Sequence, residues 1–184
     1  LGMVTDAVWS DYNGDGWEDL LVTREWNSVA MLQNMQGQGI QIQEIPEIES
    51  KHGIWSAIVT GDFDQDGDND YILGNLGENH RFTINEQYPM KIYALDIDLN
   101  GTLDPIPTGY WKDRDGVMQE YPVHYFDELM NQSPYFLKNL DNYTSFSFAT
   151  IHDILGPSLM ERVDYTLEAN TSSNYILWNQ GSNF

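Results

Sequence analysis

Three nine-residue stretches repeat one acidic pattern: DYNGDGWED from Asp11 to Asp19, DFDQDGDND from Asp62 to Asp70, and DIDLNGTLD from Asp96 to Asp104. All fit D-x-[DN]-x-[DN]-G-x-x-D, which places oxygen-bearing side chains at loop positions 1, 3, 5 and 9. Carboxylates gathered this closely repel one another, so the arrangement makes sense around a hard cation and little sense otherwise. The acid at position 9 (Asp19, Asp70, Asp104) closes such a cage. The backbone carbonyl at position 7 (Trp17, Asp68, Thr102) is expected to add an oxygen, and Gly16, Gly67 and Gly101 allow the sharp turn without a Cβ clash.

The calcium loop of an EF-hand opens in the same way, but it needs a bidentate acid at position 12, where this chain has Val22, Leu73 and Pro107. The flanks are wrong for that motif as well. Ala7, Val8 and Trp9 precede the first loop and Leu20, Leu21 and Val22 follow it; Ile58 and Val59 precede the second, and Tyr71, Ile72 and Leu73 follow. Short β-prone runs on either side of a Gly-containing turn predict two strands joined by a metal loop. Ile92, Tyr93 and Leu95 lead into the third loop, whereas Pro105 and Pro107 behind it predict an edge strand or an irregular segment. The loop starts are unevenly spaced, which points to repeated β units with insertions of different length.

Composition narrows the partners. With 29 Asp and Glu against 8 Lys and Arg, the net charge of −21 disfavours nucleic acid and anionic membrane surfaces. Three divalent ions would bring it to −15. Hydrophobic residues at 41% and aromatics at 13% are too abundant for an acidic disordered polymer, so a packed core is expected. The chain has no cysteine and no apolar run long enough to predict membrane insertion. Millimolar calcium outside cells points to an extracellular setting.

The stretch GIWSAIVTGDFDQDGDNDYILGNLGEN, Gly53 to Asn79, closely resembles the FG-GAP or VCBS repeat, a β-propeller blade of integrin alpha subunits and many bacterial surface proteins. DAVWSDYNGDGWEDLLVTREWNSVAMLQN, Asp6 to Asn34, resembles a second blade. YALDIDLNGTLDPIPTGYW, EYPVHYFDELM and FATIHDILG resemble secreted VCBS proteins of Bacteroidota that carry a helical insertion after the third loop. The resemblance implies a mainly β fold of propeller-type blades, a partial propeller with calcium-binding hairpin loops and a small helical insertion. It implies one domain over 1–184, divided into repeat 1 (1–50), repeat 2 (51–90), a partial repeat 3 (91–119), the insertion (120–163), and the start of a further strand or blade (164–184).

The ligand sets it implies are Asp11, Asn13, Asp15 and Asp19; Asp62, Asp64, Asp66 and Asp70; and Asp96, Asp98, Asn100 and Asp104, holding up to three structural Ca²⁺ ions. Loop two, with four carboxylates, is expected to bind most tightly. Two blades and a partial third predict a slice of a larger propeller. The alternative is a self-contained, non-circular β domain whose helices replace missing blades.

Phe126, Leu129 and Met130 stand at helical spacing, as do Phe148, Ile151 and Ile154, and Gly156-Pro157 marks a stop; two short packing helices are expected. Trp9 and Trp55 are expected in the core, while Trp17 and Trp111 are candidates for stacking on sugars. His52, His80, His124 and His152 share no metal-binding spacing, and no nucleophile elbow, P-loop or cysteine nucleophile is present. The sequence therefore reads as a calcium-binding extracellular, cell-surface or periplasmic module of a bacterium. It would act as a binding or scaffold domain for a glycan or protein ligand. The alternative is a secreted carbohydrate-active enzyme, or its accessory domain, with a metal-dependent site.

Overall fold

A computed structural model describes residues 1–43, 45–133, 135–136, 140 and 142–181 of the chain. It divides into two compact units, Leu1–His80 with Ala169–Phe184, and Arg81–Glu168. In chain order the first unit forms β1 (Met3–Ser10), β2 (Asp19–Asn27), β3 (Ala30–Asn34), β4 (Ile40–Gln43), β5 (Gly53–Ile54), β6 (Ala57–Gly61) and β7 (Asp70–Gly74). The second forms β8 (Met90–Leu95), β9 (Asp104–Lys112), β10 (Met118–Pro122), α1 (Phe126–Gln132), α2 (Tyr143–Phe146), α3 (Ile151–Met160) and β11 (Tyr165–Ala169); β12 (Tyr175–Leu177) returns to the first.

In the first unit β1-β2-β3-β4 is an antiparallel meander, with β5 paired to the far end of β2, and β12-β7-β6 is a second antiparallel sheet. The alternation of each strand sets which side chains meet. Val8, Leu21 and Met31 share one face of the first sheet and pack into one core with Ile58, Tyr71, Leu73 and Leu177 of the second. Burial of such side chains stabilises by about 1.5–3 kcal/mol each. Polar groups align the sheets: the Tyr71 hydroxyl reaches Ser10 Oγ at 2.8 Å, and the Ile58 amide donates to Asp6 Oδ2 at 3.0 Å.

Trp55 is fully buried and donates its indole N–H to the Asn27 carbonyl at 2.9 Å. Trp9 is not its counterpart and is 55% exposed, a correction to the expectation of a core residue. It lies two residues before its loop, within β1, and pairs with Leu20 on the face opposite Val8.

Near the end of the chain, Tyr175–Leu177 supplies the third strand of the second sheet. Leu177 lies opposite Tyr71 as Leu32 lies opposite Leu20, so β12 stands to β7 as β3 stands to β2. The second unit therefore lies, in sequence, between the second and third strands of that sheet.

In the second unit the sheet order is β10-β9-β8-β11, so β9 is central and not the edge that its prolines predict. The missing proline N–H groups explain the tolerance. Pro105 and Pro107 pair with Ala94 and Ile92 of β8, yet the Pro107 carbonyl accepts from Val123 on the β10 side, so its polar edge faces away from β8. The named pairing with β10 begins only at Thr108, and the Pro105 carbonyl is met by the Gln132 side chain at 3.0 Å. No ladder bond to β8 is lost.

Helices cover one face of this sheet: Tyr93, Leu95, Ile97 and Ile106 share a core with Leu129, Ile151, Ile154 and Leu159. Among the described residues three helices are named where two are expected. Thr150 caps α3 through its exchange with Asp153, which leaves Phe148 outside the helix. Gly156 breaks the helix at φ 64°, as the Gly-Pro pair predicts, but helical turns resume at Pro157 because a proline is well placed in a first turn.

Candidate metal-binding loops

The three acidic loops fold to one template. Each closes a hairpin in the same register, the residue before position 1 facing position 9: Ser10 with Asp19, Gly61 with Asp70, and Leu95 with Asp104. Inside each loop the carboxylate at position 1 accepts the amides of positions 5 and 6. Asp11 takes Asp15 and Gly16 at 3.1 and 2.9 Å, Asp62 takes Asp66 and Gly67 at 3.1 and 3.2 Å, and Asp96 takes Asn100 and Gly101 at 3.0 and 2.7 Å. Position 3 (Asn13, Asp64, Asp98) also accepts the amide of position 5. Position 5 accepts the amide of position 7: Trp17 to Asp15, Asp68 to Asp66, and Thr102 to Asn100. These bonds wind the chain around a point and orient the side-chain oxygens before any ligand arrives.

Position 9 is anchored from outside the loop. Asp19 Oδ1 accepts the Asn34 amide at 2.7 Å, and Asp70 Oδ1 accepts the Asn179 amide at 3.0 Å. The amide of position 2 bonds back as well, Phe63 to Asp70 and Ile97 to Asp104, both at 3.0 Å. Asn34 and Asn179 are equivalent residues at the ends of third strands. Sequence reasoning missed them, although MLQN (31–34) and ILWN (176–179) repeat a short pattern. In the third loop Arg162 donates to the Asp96 and Ile97 carbonyls.

Carboxylate oxygens of Asp62, Asp64 and Asp70 lie within 4.8 Å of one another, as do those of Asp96, Asp98 and Asp104. An ion making bonds of about 2.4 Å to oxygen can bridge that spacing, so these two clusters can hold a metal. The second-loop cluster comprises positions 1, 3 and 9, while Asp66 accepts the Asp68 amide. Loop one has Asn13 at position 3, so it offers an amide oxygen where the others offer a carboxylate. Charge crowding shows in the acidities. The Asp19 carboxyl is pushed above the ordinary range by burial, with Asp15 and Asp11 adding repulsion. Asp64 is also raised, by desolvation and then by the charges of Asp66 and Asp70.

The loops share a second feature that the motif does not specify. Position 4 adopts the left-handed conformation in every copy: Gly14 at φ 68°, Gln65 at φ 67° and Leu99 at φ 64°. Only the glycine of loop one hints at this in the sequence.

Away from the loops, Trp111 is engaged in a stack on Tyr121, with ring centroids 4.7 Å apart, whereas Trp17 is exposed. A cleft of about 360 Å³ in the second unit is lined by Asp113, Arg114, Gln119, Tyr121, Phe148 and Thr150, with the Arg114 guanidinium 4.0 Å above the Phe148 ring. No helix among the described residues is long and apolar enough to cross a membrane.

Residues 11–73, which contain the first two loops and the strands between them, match the family model described as FG-GAP-like repeat. This stretch is thus similar to an FG-GAP-like repeat, within a mainly β fold of antiparallel sheets. No curated protein and no solved structure matches the chain.

Proposed function

We propose that this chain is a calcium-braced, blade-like module of an extracellular propeller scaffold that binds a glycan or protein ligand at a cell surface. The observation that carries the reading is the convergence of three carboxylates in each of loops two and three, with no ion pair to any of them among the described residues. Two like charges about 4 Å apart repel by ~1 kcal/mol in a water-like dielectric and by more where partly desolvated. Bound Ca²⁺ would reverse the sign of that contribution. The carbonyls of Trp17, Asp68 and Thr102 are candidates for a further oxygen, and waters would complete the shell of six to eight expected for calcium. An ion so enclosed is structural: it pins strand to strand at the mouth of each hairpin. The match of residues 11–73 to an FG-GAP-like repeat supports an extracellular setting.

The test is a melt with and without chelator, together with elemental analysis of protein purified in calcium. We expect a large fall in Tm on chelation and bound calcium of up to three ions per chain. An unchanged melt and no retained ion would overturn the reading.

A second reading, a carbohydrate-active enzyme or its accessory domain, draws on the Arg114 and Phe148 cleft. Its aromatic and polar lining, which includes the carboxylates of Asp113 and Asp115, suits a sugar. A glycan array run beside a polysaccharide-cleavage screen separates binding from turnover.

A further inference from the structure

The β9–β10 hairpin turns through Asp113, Arg114, Asp115 and Gly116, with Gly116 in the left-handed conformation at φ 81°. Asp113 Oδ1 holds the turn by accepting the amides of Asp115 and Val117 at 2.9 and 2.8 Å. Arg114 therefore sits between two carboxylates, yet it makes no ion pair among the described residues. Its guanidinium lies instead 4.0 Å above the Phe148 ring. Lys112, on the other side of Asp113, makes no ion pair among the described residues either. In a chain with 29 acidic residues and 8 basic ones, two neighbouring cations thus remain available to a ligand.

Both line one depression. The cleft of about 360 Å³ shares Asp113, Arg114, Tyr121 and Phe148 with a second of about 380 Å³, which adds Trp111 and Lys112. All of these residues belong to the Arg81–Glu168 unit. Tyr121 lines both clefts and is only 8% exposed. The other buried tyrosines spend their hydroxyls within the protein, Tyr71 on Ser10 and Tyr93 on Glu120. The Tyr121 hydroxyl has no partner among the described residues. Buried hydroxyls are normally satisfied, so this one calls for a partner from outside the chain. Burial, and then the charges of Asp113 and Asp153, raise its pKa, so it stays protonated and can donate at neutral pH.

These groups divide by the chemistry they need. Asp113 Oδ2, Asp115 and Gln119 can accept, which suits a ligand dense in hydroxyls. Phe148, 45% exposed, offers an apolar surface to the C–H groups of a ring. Arg114 and Lys112 call for an anion, and a guanidinium matches a carboxylate bidentately. A peptide backbone brings few hydroxyls, and a polyanion is opposed by the net charge of −21.

We infer that this cleft binds a hexuronate unit carried among neutral sugars, its carboxylate on Arg114 and Lys112 and its hydroxyls on Asp113, Gln119 and Tyr121. The inference rests on the reading of the chain as a glycan-binding module and is independent of which metal the loops hold.

The test is an amide NMR titration of the full chain in calcium with the methyl glycosides of glucuronate and of glucose, and with a dipeptide bearing a free terminal carboxylate. We expect the glucuronate to shift the Arg114, Gly116 and Gln119 amides and the Trp111 indole N–H. Its affinity should exceed that of the glucoside at least about tenfold, because charge-assisted bonds are the stronger kind. Arg114→Gln should bring the two sugars to equal affinity, and Arg114→Lys should restore part of the preference. Tyr121→Phe should weaken both sugars alike, by about threefold or more. Circular dichroism melts verify that each variant folds, and Gln119→Ala, which should act in the same sense, replaces Tyr121→Phe if that variant does not. Equal binding of the two sugars by the unaltered chain would overturn the uronate assignment while leaving glycan binding in place. Shifts with neither sugar, or with the dipeptide as strongly as with glucuronate, would overturn the site, and the glycan reading falls with it only if a glycan array is blank as well.

Discussion

At the scale of single residues, position 4 of the loops tests how much strain the template stores. Leu99 holds φ 64° with its side chain in solvent, a conformation that costs a non-glycine L-residue about 1–2 kcal/mol. Leu99→Asn keeps the length of the turn and tolerates the left-handed region, so it should raise stability by about 0.5–1 kcal/mol in an unfolding titration. The reverse change is Gly67→Ala at φ 102°, where no atom lies near the added Cβ. Its cost is purely conformational, about 1–2 kcal/mol of folding stability in an unfolding titration. Asp19 makes a prediction about pH. Its folded-state pKa is raised, so its contribution is favourable below the unfolded value and is lost as pH rises through the folded one. Metal-free protein should accordingly gain stability as pH falls from neutral toward the upper carboxylate range, and Asp19→Asn should flatten that slope. The motif made the cage residues legible because their chemistry repeats three times. The strain at position 4 was hidden because Gln65 and Leu99 carry no compositional mark of a left-handed turn.

At the scale of elements, the strands flanking each loop were legible from their β-branched and aromatic runs, while the fate of Pro105 and Pro107 was not. A proline rule speaks of a strand in isolation; here the neighbour on the affected side is replaced by Val123 and Gln132. Trp9 was misplaced for a related reason, since one residue of register moves a side chain to the other face of a strand. The second unit also contains a buried polar network invisible to any motif. Glu120 accepts from Thr108 Oγ1 at 2.6 Å and from the Tyr110 and Tyr93 hydroxyls at 3.0 and 3.2 Å, with Lys91 Nζ 3.8 Å away. Glu120→Ala leaves buried hydroxyls unpartnered and should cost roughly 3 kcal/mol. Burial, and then the Glu120 charge, raise the Tyr93 phenol and push Tyr110 up to about 12. Raised phenols hold their stabilising contribution below the ordinary value of 10.0 and lose it as pH climbs through the folded values. Urea titrations should therefore show a loss of stability setting in above pH 10.0, a loss that Glu120→Gln reduces by removing the repelling charge.

At the scale of the whole molecule, the return of β12 to the second sheet was the least legible feature. Asn179 and Asp70 are 109 positions apart, and an entire unit intervenes between strands that pair. Nothing local to residues 164–184 distinguishes a third strand of an old sheet from the first of a new one; only the MLQN and ILWN parallel does, and it is short. The arrangement has a consequence for metal dependence. Loops one and two belong to the first unit and loop three to the second, and each unit has a separate core. If calcium stabilises by binding the folded state, its effect is delivered to the unit that holds the loop. Removing the third cage with Asp96→Ala and Asp98→Ala should abolish the calcium-dependent protection of β8 and β9 amides in hydrogen exchange, leaving that of β1, β2, β6 and β7 intact. Asp62→Ala with Asp64→Ala should do the reverse and also expose β12, because Asp70 holds the Asn179 amide at the end of that strand. Isothermal titration on the same variants should show one binding event lost from each pair of substitutions, since each cluster offers three carboxylates. Equal losses in both units from either pair of substitutions would mean that the ions act on global charge, against −21, and not on the hairpins they sit in.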